Sequence, residues 1–87
     1  MRVGKRVRIA GMRETLRKIT RSSGEVLYRM ILEDLEGNLP VIIAKTVYHH
    51  HHNLLQGRGP FVVEGVVEVN ATREQPYLRL EKIWPAR

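Results

Sequence analysis

The stretch EVLYRMILED, residues 25–34, decides the fold. Read with a period of two, it places Tyr28, Met30 and Leu32 on one face and Leu27, Arg29 and Ile31 on the other, the pattern of a strand. A helix across these residues would leave no strand to carry a binding groove. Just upstream, TRSSG (20–24) has turn chemistry, because serines bond their own backbone and Gly24 accepts a positive φ. Further upstream, KRVRIAG (5–11) alternates Val7 and Ile9 against Arg6 and Arg8. The three segments read as one long hairpin with a basic tip.

Downstream, LEDLEGN (32–38) closes the strand, with Asp34 and Gly37 supplying the turn. LPVIIAK (39–45) is a third strand with Leu39, Val41 and Ile43 on one face. Pro40 lacks an N–H, so an unpaired or bulged position is expected near its start. TVYHHHHNLLQG (46–57) reads as a short helix, with Thr46 as N-cap and Gly57 as stop. Its buried face would hold Val47, His51, Leu54 and Leu55, with Tyr48 on the shoulder. GPFVVEGVVEVN (59–70) is a fourth strand with Phe61, Val63, Val67 and Val69 inward, and Gly65 in that series suits a sharp bend. NATREQP (70–76) is a loop, and YLRLEKIW (77–84) a fifth strand with Leu78 and Leu80 inward. The expected core is Val7, Ile9, Met30, Leu32, Val41, Ile43, Val63 and Leu80.

Strand, strand, strand, helix, strand, strand is the order of the OB-fold. The expected class is therefore all-β with one short helix: a five-stranded Greek-key barrel, the helix lying between strands 3 and 4. All 87 residues fit a single domain with one thin core.

Charge sets the expected partner. Residues 1–24 carry eight Lys or Arg against one Glu, whereas residues 25–57 sum to −2 and residues 58–87 to +1. A basic surface confined to the first quarter of the chain is the footprint of a polyanion binder. In an OB-fold, the first hairpin loop and the loop between strands 4 and 5 flank the groove. The candidate contacts are therefore Arg13, Arg17, Lys18 and Arg21 on the hairpin, Arg29 on the second strand, and Arg73 and Tyr77 at the second loop. Three to five phosphate contacts there would make binding strongly salt-dependent.

Segments VRIAG (7–11), RKITRSSG (17–24), LEDLEG (32–37) and FVVEGVVE (61–68) resemble the OB-fold domain near the C-terminus of the bacterial DNA polymerase III alpha subunit and its error-prone relatives. The resemblance implies binding of single-stranded DNA beside a replicative active site, with a polymerase or replication protein as partner. Where that family commonly has outward aromatics, this chain has Arg29 and Ala44. Arg29 would then stack through its guanidinium plane. Two other readings stand beside this one. One is a protein-interaction module docking through the third strand or the helix; the other is binding of a structured RNA such as a tRNA anticodon stem.

Other chemistries are poorly served. Without cysteine there is no disulfide framework or thiol chemistry. Consecutive residues on a helix fan out over about 300°, so His49 to His52 cannot converge on one ion. No metal or cofactor is expected. Glu33, Asp34 and Glu36 cluster in a turn with no nucleophile beside them, so a binding domain rather than an enzyme is expected. Trp84 offers either a base platform or, more commonly for a lone tryptophan, a cover for the core. No apolar run is long enough for a leader or a membrane span, which makes the cytoplasm the expected compartment.

Overall fold

The computed structural model describes residues 3–34, 36–69 and 75–86. Five strands, β1 (Arg6–Thr20), β2 (Val26–Asp34), β3 (Gly37–Ala44), β4 (Phe61–Val69) and β5 (Pro76–Pro85), close into a barrel in the order β1-β2-β3-β5-β4. All pairings are antiparallel except β3 with β5. This is the OB-fold. Its core holds Met30, Leu32, Val41, Ile43, Phe61, Val63, Val67, Leu78 and Leu80, the alternate residues of four strands.

β1 serves two neighbours in succession. Through Gly11 it pairs with β4, and from Met12 onward with β2. At the hand-over the strand runs close over β2: a Cβ on Gly11 would meet the Glu33 carbonyl and the Leu32 side chain. A bulge follows between Arg13 and Thr15. The odd residues Val7, Ile9 and Arg13 share the inward direction; beyond the bulge it passes to the even ones, Leu16 and Lys18. A strict two-residue period carried from Val7 would misplace every side chain past Glu14.

Gly65 does mark a bend. The β4–β5 register shifts beside it, and a Cβ there would run into the Arg79 carbonyl. At the hairpin tip Gly24 has φ 91°, as its turn requires. The β2–β3 turn is tied by Asp34 Oδ1, which accepts from the N–H groups of Glu36 and Gly37. Pro40 sits in register opposite Ile31 without a bulge, and among the described residues β5 joins β3 only at Val41 and Ile42. The open positions near the start of β3 therefore lie on its β5 side.

Several expectations need correction. The single helix is two, α1 (Lys45–His50) and α2 (His52–Leu55), broken at His51. Ala44, not Thr46, occupies the N-cap without a side-chain hydrogen bond, and the second helix ends at Gln56 rather than Gly57. Leu55 is the fully buried plug; Val47 and Leu54 pack around it partly buried, and His51 is only half-buried. Val7 and Ile9 are half-buried rather than buried; among the described residues this half of β1 pairs with β4 alone. Val69, the last residue of β4, is exposed. Leu27, expected outward, is buried outside the main core cluster.

Candidate nucleic-acid interface

Residues directly opposite in paired strands share a face of the sheet. On the outer face Arg17 of β1 stands opposite Arg29 of β2, Arg29 opposite Ile42 of β3, and Ile42 beside Arg79 of β5. One row of side chains thus crosses four strands and carries three guanidinium groups. Beside it, between the hairpin tip and the start of β5, lies a cleft lined by Arg21, Arg29, Pro40, Ile42, Pro76 and Tyr77. Three of the expected contacts, Arg21, Arg29 and Tyr77, meet in it.

Their charges are differently committed. Among the described residues no carboxylate lies within ion-pair distance of Arg17 or Arg29. Arg21 approaches Glu25 at 3.7 Å, but both are well exposed, and such a pair is worth less than about 1 kcal/mol. Arg79 is held by Glu68 at 2.8 Å. The same carboxylate accepts from the Tyr77 hydroxyl at 3.0 Å. The Arg79 hydrogen bond pulls the Glu68 carboxyl below its usual range, while desolvation and then the bond to Glu68 push the Tyr77 phenol up. Tyr77 is therefore a neutral ring in the lining of the cleft, fixed by its hydroxyl.

The rest of the basic excess is dispersed. Arg6 pairs with Glu81 and Arg8 with Glu64, each at 2.9 Å, and Glu81 also approaches Arg79 at 3.8 Å. The Arg8 hydrogen bond holds the Glu64 carboxyl low. Arg13 donates to the carbonyls of Gly57 and Gln56, tying off the end of the second helix. Lys18 stands opposite Tyr28 and so faces away from Arg17. Arg73 lies outside the described residues. Trp84 is 37% exposed, stands beside Val62 on the outer surface and lies under the Arg8 guanidinium at 5.1 Å. It is not part of the core.

The histidine run serves an aromatic cluster. Tyr48 stacks on Tyr28, ring centroids 3.6 Å apart and 9° from parallel, with His49 and His52 edge-on to it. Among the described residues no group of three potential ligands is arranged for a metal ion. Sequence reasoning missed Pro40, Ile42 and Pro76 as lining residues. Ile42 was within reach, since alternation places it outward beside Arg29. The hand of Lys18 was not, because the bulge at Glu14 has no distinctive residue.

No family model and no curated protein matches the chain. Among solved structures it is similar to asparaginyl-tRNA synthetase from Pyrococcus horikoshii complexed with asparaginyl-adenylate, with TM-score 0.72 at 22% identity over 98% of this chain. A second structure of that synthetase aligns at 21% identity with the same TM-score. The chain spans 20% of the length of that enzyme. At this identity the likeness concerns the fold. The resemblance to DNA polymerase III alpha drawn from the sequence has no counterpart among these structures. No described helix is long and apolar enough to cross a membrane.

Proposed function

We propose that the chain is a nucleic-acid-binding OB module whose preferred ligand is the single-stranded loop of a structured RNA, of the kind a tRNA presents. It acts by binding, without catalytic groups of its own. The observation that carries this reading is the cleft of Arg21, Arg29 and Tyr77, continued across the outer face by Arg17. Arg17 and Arg29 have no carboxylate within ion-pair reach among the described residues, and the exposed pair of Arg21 with Glu25 is weak. These three are placed to take phosphates, and one fixed aromatic ring takes a base.

RNA is favoured over long single-stranded DNA on two grounds. The solved structure it is similar to belongs to an enzyme that, by its name, acts on tRNA. The β2–β3 face also lacks successive aromatics: Arg29 and Ala44 stand where stacking platforms would serve a running strand. Stacking is worth about 1–3 kcal/mol per base, so the one platform in this cleft suits a few splayed bases better than a long track across the outer face.

Competition for a fluorescent RNA stem-loop tests this. The unlabelled stem-loop should displace the probe well below the concentration needed for single-stranded DNA of the loop sequence. Replacing Arg17, Arg21 and Arg29 together by Ala should weaken RNA binding by at least about tenfold. Equal competition by the DNA would restore the single-stranded DNA reading, with a replication or repair polymerase as context. No binding to either at low salt would leave the face to a protein partner.

A further inference from the structure

The opposite face of the hairpin carries a second basic groove. Lys18 stands opposite Tyr28, one residue on from the Arg17–Arg29 pair, and therefore points to the reverse side of the sheet. Tyr28 is stacked on Tyr48 of α1. These three side chains line a groove with Arg13, Arg17 and Gln56. Three cations converge there, and no carboxylate is among the lining residues. Lys18 is exposed and, among the described residues, has no carboxylate within ion-pair reach. Like charges gathered around a flat pair of rings repel one another until an anion joins them.

Arg17 links the two sites. Its register partner Arg29 lines the first cleft, while Arg17 itself lines this groove. Among the described residues β1 is an edge here: its pairing with β4 ends at Gly11, and residues 15–20 pair only with β2. The edge offers a passage from one face of the hairpin to the other.

We propose that this groove is a second nucleotide subsite, taking the continuation of the same single strand. The strand leaves the first cleft, crosses the β1 edge at Arg17, sets a phosphate on Lys18 and Arg13, and lays a base against the Tyr28–Tyr48 pair. Arg13 is already fixed through Nε and Nη2 on the carbonyls of Gly57 and Gln56 and presents its remaining N–H groups without further ordering. This inference rests on the nucleic-acid reading of the first cleft.

Length dependence of binding tests it. Labelled oligouridines of about four and about twelve nucleotides bracket the range one OB-fold covers. The longer one should bind at least about tenfold tighter to the wild type. Lys18→Glu, a change at an exposed position, should abolish that gain and leave the affinity for the short oligomer within about twofold. Gln56→Ala, at the far wall, should reduce the gain partly. A short oligomer that binds while lengthening adds nothing would overturn the second subsite alone. So would Lys18→Glu weakening both lengths equally. A short oligomer that fails to bind at low salt would remove both sites together.

Discussion

At Gly65 the absence of a side chain decides whether the barrel closes. β5 crosses so near that an added methyl has no space, and the obstacle is backbone, which cannot swing aside. Gly65→Ala should therefore cost about 3 kcal/mol in urea unfolding, the upper part of the range for overpacking. Gly57→Ala is the control: the new Cβ would meet only the Leu54 carbonyl at an ordinary 3.6 Å, and the change should stay within about 0.5 kcal/mol. A second residue-scale prediction concerns His51. Desolvation first, and then the neighbouring His50, lower its pKa from 6.5 in the folded chain. The unfolded chain then binds more protons below that pH, so stability is complete above about pH 6.5 and is lost as pH falls. The melting temperature should drop between about pH 7.5 and about pH 5.5, before Glu64 and Glu68 begin to protonate, and drop less in His51→Gln. An equal drop in both proteins would clear His51. Gly65 was legible in the sequence, because a glycine inside an apolar series has few other uses. The break at His51 was not, since four identical residues give no signal of which one leaves the helix.

The elements were legible where alternation governs them and obscure where it is interrupted. β2 and β3 carry strict two-residue patterns, and the core faces Met30–Leu32 and Val41–Ile43 follow directly. β1 defeats the same reading at Glu14, because a bulge changes parity without needing a special residue there. That slip decides which hairpin cations share a face. Arg17 and Arg29 stand together; Lys18 and Arg13 do not join them. The helical segment was recognisable by the spacing of Val47, Leu54 and Leu55, although its caps were not. Of these, Leu55 fills the end of the barrel at 0% exposure. Leu55→Ala should destabilise the domain by about 3 kcal/mol, since the strands around the plug are tied into the sheet and can collapse only partly. Leu54→Ala, at a partly buried site, should cost less than half of that. Similar losses at both positions would mean that the helices pack on the barrel as a unit rather than through one plug.

Over the whole molecule, the fold sorts a charge bias concentrated in the first 24 residues. The basic first quarter of the chain does not act as a block. Arg6 and Arg8 are tied to Glu81 and Glu64, and Arg13 closes a helix. Arg17, Arg21 and Arg29 remain as the cations of the β2 face, with Tyr77 held beside them by Glu68. No count of charges along the sequence could sort these, because the pairings join strands distant in the chain. Under the proposed function this outer face binds a nucleic acid mainly through phosphate contacts. The salt dependence of affinity for a labelled RNA stem-loop tests it most directly. For single strands log affinity falls with log salt by about 0.7 per contact, so three or four contacts give a slope of about −2 to −3. Replacing Arg17, Arg21 and Arg29 by Ala should bring the slope to within about 1 of zero, while far-ultraviolet circular dichroism stays that of the wild-type barrel. Tight binding with a slope shallower than about −1, unchanged in the triple variant, would rule out phosphate contacts as the main source of affinity and move the binding energy from these cations to stacking.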